Sequence, residues 1–187
     1  RVEIPARLRY NSAKRKGRGR RCMRIRLMNA WDDRLAISRV YEASWKSSYQ
    51  GIMPQAYLDG IPEDRWAGNL DDPGWHTLVM LEGERIIGTS TYCASRFKDM
   101  PDYGEIVSIY LLPEYVGRGY GRPLLRAGMD GLRHLGYADI FLWVLEDNVR
   151  ARRFYERCGF AADGGWLTVD LNGKELREVR YTRHLEP

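Results

Sequence analysis

Apolar residues recur along the chain with two different periods, and together these predict its helices and strands. Alternation over 23–28 predicts a strand, and apolar residues at helical spacing from Ala30 to Gln50 predict a helix. By the same reasoning we predict short helices over 54–59 and 62–70, strands over 75–81, 85–94, 103–112, 139–145, 160–169 and 175–184, and helices over 122–135 and 148–158. The Asn172-Gly173 pair predicts a tight turn between the last two strands. We therefore expect an α+β sandwich in the order β-α-α-β-β-β-α-β-α-β-β, with helices on both faces of a mixed, mostly antiparallel sheet.

Composition narrows the class of protein. The chain has 187 residues, 44% of them hydrophobic and 12% aromatic, which is typical of one globular domain. No apolar run reaches the ~18 residues of a membrane span, and the N-terminus shows no secretory signal. Cys22, Cys93 and Cys158 are too few and too scattered for a disulfide framework or a metal site. We therefore expect a cytoplasmic protein without a metal.

The positive net charge is concentrated at the N-terminus. Residues 1–22 contain nine arginines and lysines and one acidic residue, Glu3, so the net charge of this segment is +8. Since the whole chain has a net charge of +5, residues 23–187 have a net charge of −3. Blocks of like charge are usually disordered tails. We expect residues 1–22 to be a basic tail, or sequence translated ahead of Met23, and residues 23–187 to be the domain. A nucleic-acid-binding arm is the alternative, and nucleic acid is expected only through this segment.

The most specific local signal is the glycine-rich loop 116–122, which follows the apolar run 106–112. Gly117, Gly119 and Gly121 let the backbone turn tightly and expose several N–H groups together. The helix that follows directs its positive end toward the same place. The pattern predicts a pocket for a diphosphate and therefore a nucleotide-bearing cofactor.

The loop sequence has two other interpretations. A dinucleotide-binding turn would require G-x-G-x-x-G directly after a strand, with an acidic residue at the end of the next strand. Here the spacing is G-x-G-x-G, residues 113–115 intervene, and Asp139 precedes its strand. A turn that binds no ligand is the other alternative, although three closely spaced glycines cost chain entropy without improving packing.

A second motif, Asn148–Phe160, predicts a helix that carries polar groups. Asn148, Arg152 and Tyr155 share one helical face. Asn148 would also serve as a helix cap, and Tyr155 as a core residue. Each of these two residues taken alone is explained as well by structure as by function.

Together the two motifs resemble the GNAT superfamily of N-acetyltransferases. The resemblance runs from about Met23 to the C-terminus and is most specific in E-I-x-S-I-Y-L-L-P-E-Y-x-G-R-G-Y-G-R-x-L-L (105–125) and N-x-x-A-x-x-F-Y-E-x-x-G-F (148–160). It implies acetyl-CoA as acyl donor, with the pantetheine arm on a strand edge near Leu111. The residues that the resemblance implies for cofactor binding are Leu111, Val116, Gly117, Arg118, Gly119, Tyr120, Gly121, Arg122, Asn148 and Arg152. Val116 departs from the Gln or Arg common in the family, so we expect weaker side-chain support for a contact made mainly by backbone.

The resemblance also implies a mechanism in which an amine attacks the thioester directly, in a ternary complex. An alkyl amine is mostly protonated at pH 7, so a base must remove a proton. Glu105 is the expected base, with a surface role as the alternative, and Tyr155 is the expected proton donor to the leaving thiolate. Backbone N–H groups near Leu111 would stabilise the developing oxyanion. A cysteine nucleophile is disfavoured because no base neighbours Cys93 or Cys158 in the sequence.

The acceptor site in this family is formed by the first two helices and nearby loops. Trp45 and Tyr49 would provide an aromatic slot, and Asp59, Glu63 or Asp64 would attract a cation; packing is the alternative role for the aromatic residues. We expect a small-molecule amine as acceptor, while a protein N-terminus or lysine, and an acyl-CoA-binding protein without activity, remain open. Homodimers are frequent in the family, which leaves a monomer and a homodimer both open.

Overall fold

The computed structural model describes residues 23–186, and the basic segment 1–22 lies outside them. The strands are β1 Met23–Leu27, β2 His76–Glu82, β3 Arg85–Ala94, β4 Gly104–Leu111, β5 Asp139–Leu145, β6 Ala161–Leu171 and β7 Lys174–His184. The helices are α1 Arg34–Ser48, α2 Gln55–Asp59, α3 Gly121–His134 and α4 Val149–Arg157, with 3₁₀ turns at Ala67–Asn69 and Pro113–Tyr115. This order confirms the predicted β-α-α-β-β-β-α-β-α-β-β chain.

Local signals explain most of these boundaries. Asp33 caps α1 by accepting hydrogen bonds from the backbone N–H groups of Leu35 and Ala36. Asn172 and Gly173 both have positive φ, 57° and 81°, as the tight turn between β6 and β7 requires. The helix predicted over 62–70 is wrong, because only the 3₁₀ turn Ala67–Asn69 forms there.

All seven strands form one sheet in the order β1-β2-β3-β4-β5-β7-β6. Every neighbouring pair is antiparallel except β4 and β5, which run parallel. The β4–β5 pairing consists of two positions, Gly104 with Ile140 and Glu105 with Phe141. Since β4 stays paired with β3 to Leu111 and β5 stays paired with β7 to Leu145, the sheet splits beyond Glu105 into two halves.

A change of register in β4 accompanies this split. Thr91 of β3 pairs with Ser108, whereas the next residue, Tyr92, pairs with Ile106, so Val107 is an extra residue on β4. A bulge of this kind bends its strand and increases the local twist. The bulge at Val107 lies just beyond Glu105, where β4 turns away from β5.

Helices cover both faces of the sheet, as predicted. On one face, α3 and α4 pack over a core that includes Tyr92, Leu124 and Tyr155. On the other face, α1 packs against β2 through Ile37 and Val79, and the α2 region packs against β5 and β7. That second contact uses Met53, Leu58, Ile61, Leu145 and Leu176.

Helix α3 lies close to the sheet because its inner face carries glycines. A Cβ built on Gly131 would lie 2.3 Å from Tyr92 Cζ, and one on Gly128 would lie 3.0 Å from Ile106 Cδ1. The absence of side chains at these positions lets the helix approach β3 and β4 closely.

Within residues 23–186, no helix is both long and apolar enough to cross a membrane. The same residues contain no group of three or more histidine, cysteine or acidic side chains arranged to hold a metal ion.

The close approach of α3 leads to a stability prediction. Alanine normally stabilises a helix interior relative to glycine, but in Gly131→Ala the new methyl group would overlap the rigid Tyr92 ring. We expect a net loss of about 1–3 kcal/mol in the free energy of unfolding, measured by urea denaturation. Gly68→Ala is the control, because its Cβ would enter open space. Equal stability of the two variants would contradict the packing described for α3.

Candidate active site

A cavity of about 700 Å³ occupies the split between the two halves of the sheet. Its walls come from the diverging ends of β4 and β5, the loop 116–122, α4, α1 and the hairpin β6–β7. Beyond Glu105, the edge of β4 that faces β5 has no strand partner, so its backbone groups are open to a ligand in the cavity. Leu111 and Val116 both line this wall.

The glycine-rich loop forms one end of the cavity. Gly117 and Gly119 adopt φ of 77° and 89°, a region that disfavours L side chains, and a Cβ at either position would meet nothing within 4 Å. No backbone carbonyl or side chain of the described residues accepts a hydrogen bond from the N–H groups of residues 117–122. Six unpaired donors at the N-terminus of α3 are suited to binding an anion.

Alternate residues of this loop face in opposite directions. Gly117, Gly119 and Gly121 line the cavity, whereas the side chains of Arg118 and Tyr120 lie against the ring of Tyr115. The loop therefore presents backbone, and not the Arg118 or Tyr120 side chains, to the cavity. The backbone N–H groups of both residues are among the six donors that have no acceptor within the described residues.

Positive charge around the loop comes from three arginines that line the cavity, Arg122 of α3 and Arg150 and Arg157 of α4. Sequence reasoning selected Arg122 and missed the other two. Instead it selected Arg152, which the structure does not bring to the cavity wall. The Arg152 guanidinium donates to the Tyr181 hydroxyl and the Glu146 carbonyl, because position 152 lies on the side of α4 that faces β7.

Asn148 both caps α4 and lines the cavity. Its side-chain oxygen accepts a hydrogen bond of 3.1 Å from the Ala151 N–H and caps α4. Asn148 also lines the cavity, where its side-chain NH₂ group has no hydrogen-bond acceptor among the described residues. The cap thus fixes the amide at the edge of the split.

Tyr155 lies under the split, on the inner face of α4. Its ring packs against Phe154 and Phe160, and its hydroxyl has no hydrogen-bond partner within residues 23–186. Burial raises the pKa of Tyr155, and nearby Tyr110 and Cys158 raise it further. The phenol therefore remains protonated at neutral pH and is available as a hydrogen-bond donor.

Glu105 is buried at the closed end of the split, with 1% of its surface exposed. It accepts three hydrogen bonds from Arg96: one from the backbone N–H at 3.2 Å and two from the guanidinium at 3.0 and 2.6 Å. A carboxylate has about four lone-pair positions. Most of the hydrogen-bonding capacity of Glu105 is therefore used by one neighbour.

Aromatic residues form the opposite end of the cavity. Trp45 of α1 and Tyr49, the residue that follows α1, both line it, together with Phe97, Tyr110 and Trp143. The predicted Asp59 does not reach it, because its carboxylate is exposed on α2 and accepts a hydrogen bond from Gln55. Glu63 is paired with Arg39 outside the cavity, and Asp64 does not line the cavity.

The carboxylate that does reach the aromatic end is Glu178 of β7, which sequence reasoning missed. Glu178 pairs across the ladder with Leu145, the last residue of β5. Burial raises the pKa of Glu178; the nearby Arg96 lowers it and Glu105 raises it further. The sequence did contain a signal for Glu178: it lies two residues after the buried Leu176, and residues two apart in a strand point to the same face of the sheet.

Comparison with known proteins agrees with this geometry. The sequence model of the Acetyltransferase (GNAT) family matches residues 36–160. The uncharacterized N-acetyltransferase YuaI of Bacillus subtilis is 30% identical over 118 residues, covering 60% of this chain and 66% of its own length. A mycothiol acetyltransferase of Rhodococcus erythropolis is 44% identical over 133 residues, covering 69% of this chain. The chain spans only 43% of that relative.

Solved structures share the fold. The PaiA N-acetyltransferase from Thermoplasma acidophilum, in complex with coenzyme A, has a TM-score of 0.67 at 19% identity and covers 87% of this chain and 99% of its own. A GCN5-related N-acetyltransferase from Rhodopseudomonas palustris has a TM-score of 0.68 at 20% identity, with 86% and 94% covered. The family match over more than half of the chain, joined to this fold, shows that the chain belongs to the GNAT family of acetyltransferases.

Proposed function

We propose that this protein is an acetyl-CoA-dependent N-acetyltransferase that acetylates a primary amine of a small molecule in a ternary complex. The observation that carries the proposal is the row of six unpaired N–H groups at the end of two diverging strands. Family membership and the coenzyme A bound to the PaiA structure support acetyl-CoA as the acyl donor.

The residues present fit such a donor. A diphosphate would accept hydrogen bonds from the N–H groups of residues 117–122, with Arg122, Arg150 and Arg157 adding positive charge nearby. The unpaired edge of β4 would hold the pantetheine amides, with the Asn148 amide on the opposite side. When bound, acetyl-CoA supplies a thioester carbonyl whose carbon accepts the amine as the carbon–sulfur bond breaks.

Tyr155 is the proposed proton donor for the leaving sulfur. Its phenol O–H has no competing hydrogen-bond partner in the described residues, and its raised pKa keeps the proton in place before the reaction. The same apolar surroundings that disfavour a phenolate also disfavour a thiolate, so they increase the affinity of the sulfur for the proton. The proton that the nitrogen then loses restores the phenol.

A carboxylate must remove the first proton from the ammonium form of the acceptor. Glu105, the base expected from the sequence, and Glu178 both line the cavity. Backbone N–H groups along the unpaired edge of β4 near Leu111 are the proposed donors to the developing oxyanion. The proposed mechanism requires neither Cys93 nor Cys158, because attack by the amine is direct.

A small acceptor is supported by the shape of the cavity. The aromatic end, which Trp45 and Tyr49 help to form, is walled by side chains from α1, β4, β5 and β7. The direct test is release of coenzyme A from acetyl-CoA in the presence of aryl amines, polyamines, amino sugars, amino acids and peptides. The panel includes the acceptor of mycothiol acetyltransferases, because one such relative is 44% identical over the 133 residues that it shares with this chain. Acetyl-CoA binding without turnover across the panel would instead favour a non-catalytic acyl-CoA-binding protein.

Gly119→Glu tests the diphosphate cradle. A carboxylate placed among the six N–H groups would occupy them and repel the diphosphate, so we expect coenzyme A affinity to fall by about 10²-fold or more. The measurement is isothermal titration calorimetry. Gly74→Glu is the matched control, because Gly74 also has positive φ (85°) and open space for a Cβ. The two variants should lose similar stability, and equal coenzyme A affinity in both would contradict the cradle.

Tyr155→Phe tests the proton donor. The substitution removes one hydroxyl and keeps the ring packing against Phe154 and Phe160, so we expect kcat to fall by about 10²-fold while coenzyme A affinity changes little. Tyr103→Phe, which lies outside the cavity, is the control. An unchanged rate and pH profile in Tyr155→Phe would rule out the proton-donor role.

A further inference from the structure

We propose that Glu178 is the residue that binds the acceptor amine and takes its proton, and that the acceptor is a monocationic amine on a flat apolar body. This inference rests on the proposed acetyltransferase function and specifies its acceptor side. It is carried by the position of Glu178 in the sheet, by the partners of the two cavity carboxylates, and by the charge of the cavity wall.

The register of the sheet places Glu178 at the open end of the split. Glu105 pairs with Phe141, the last position at which β4 and β5 are joined. Four residues further along β5, Leu145 pairs with Glu178 of β7. Glu178 therefore lies beside the widened gap into which the reacting groups must fit, whereas Glu105 lies where the gap begins.

The two carboxylates differ in their partners. Glu105 accepts three hydrogen bonds from Arg96, but Glu178 accepts no hydrogen bond and forms no ion pair within residues 23–186. A half-buried carboxylate without a partner reduces stability, because desolvation is not compensated. A cationic ligand would supply the missing partner.

A second unpartnered group lies next to Glu178. The Trp143 indole Nε1 is buried and has no hydrogen-bond acceptor in the described part of the chain. In the β5–β7 ladder, Trp143 pairs with Arg180 and Leu145 pairs with Glu178. Because these two pairs lie two residues apart, their side chains share one face of the sheet, and Trp143 is a diagonal neighbour of Glu178. An unsatisfied buried donor beside an unpaired carboxylate indicates a place where a ligand completes the hydrogen bonding.

The charges around Glu178 specify a single positive charge on the ligand. Arg96 and Glu105 neutralise each other, which leaves the charge of Glu178. The facing phenols of Tyr49 and Tyr110 stay neutral because burial raises the pKa of each. The other lining residues include the aromatic rings of Trp45, Phe97 and Trp143. One carboxylate between aromatic walls is complementary to one ammonium group on a flat apolar body.

The proton step balances within the site. The Glu178 carboxylate accepts a proton from the ammonium nitrogen, the N–H electron pair remains on nitrogen, and the neutral amine becomes nucleophilic. The protonated carboxyl group then releases its proton to water after the product leaves. The raised pKa of Glu178 suits this role, because a base works best when its pKa approaches the working pH.

The experiment compares three isosteric substitutions. Glu178→Gln removes the proposed base, Glu105→Gln removes the partner of Arg96, and Glu175→Gln is the control on an exposed residue of the same strand. Each variant is tested with phenethylamine, spermidine and glucosamine as acceptors. The readouts are kcat/KM against pH, the melting temperature, and phenethylamine binding to the coenzyme A complex by calorimetry.

We expect Glu178→Gln to lower kcat/KM for phenethylamine by about 10²-fold or more and to remove the acidic limb of the pH profile. Phenethylamine binding to the coenzyme A complex should also weaken, which is a readout independent of turnover. Coenzyme A affinity should stay as in the wild type. Wild-type protein should prefer phenethylamine to spermidine and glucosamine.

Stability separates the two carboxylates. Because the folded state disfavours ionised Glu178, the wild type loses stability relative to Glu178→Gln as pH rises through the raised pKa. Glu178→Gln should therefore melt at or above the wild-type temperature at pH 8 and match it near pH 4. Glu105→Gln should melt below the wild type at pH 8, because it removes the charge of a buried carboxylate that is paired with the partly exposed Arg96 guanidinium.

The outcomes distinguish this inference from the broader proposal. Retained activity and an unchanged pH profile in Glu178→Gln, with an active wild type, would overturn the role of Glu178 alone. A preference for spermidine or glucosamine would overturn the acceptor class. A wild type that binds phenethylamine through Glu178 yet acetylates no amine would overturn the acetyltransferase proposal and leave the binding site standing.

Discussion

The structure depends on one interruption of hydrogen bonding, the end of the β4–β5 ladder after Glu105 and Phe141. A continuous ladder would satisfy both strand edges and leave no space between them. Because β4 stays paired with β3 on both sides of Val107, and β5 stays paired with β7 along its length, the split leaves backbone groups unpaired along the two edges that face each other. The extra residue Val107 helps β4 to turn away at that point. The cavity therefore follows from the topology of the sheet.

The same split organises charge along its length. At one end, unpaired N–H groups of the loop 116–122 and three arginines create a positive site. At the other end, Glu178 contributes a negative charge among aromatic side chains. A donor with a diphosphate and an acceptor with an ammonium group would thus enter from opposite ends and meet between the strands. Tyr155, the proposed proton donor, lines the same cavity, and its raised pKa keeps it neutral.

Features coded by neighbouring residues were predictable from the sequence. The element order, the cavity-facing glycines and the Asn172-Gly173 turn all rest on periodicity or on backbone preferences of single residues. Predictions failed where tertiary contacts decide. The segment 62–70 has helical spacing, but its residues form turns. The backbone N–H of Trp66 in this segment donates a hydrogen bond to Ser38 Oγ on α1. Arg152 shares a helical face with Tyr155, yet its guanidinium donates a hydrogen bond to the hydroxyl of Tyr181 on β7, 29 residues further along the chain.

Glu178 shows why the donor side of the site was easier to predict than the acceptor side. The proposed donor site is made of backbone in one loop and one strand edge and of side chains from α3 and α4, and all of it lies within the residues 36–160 that match the family. Glu178 lies beyond that range, in a hairpin whose charged residues resemble an exposed edge. Only the register of β7 against β5 brings it into the cavity. The family match therefore covers the residues proposed to hold the acyl donor, while the charge proposed to select the acceptor comes from the hairpin that follows it.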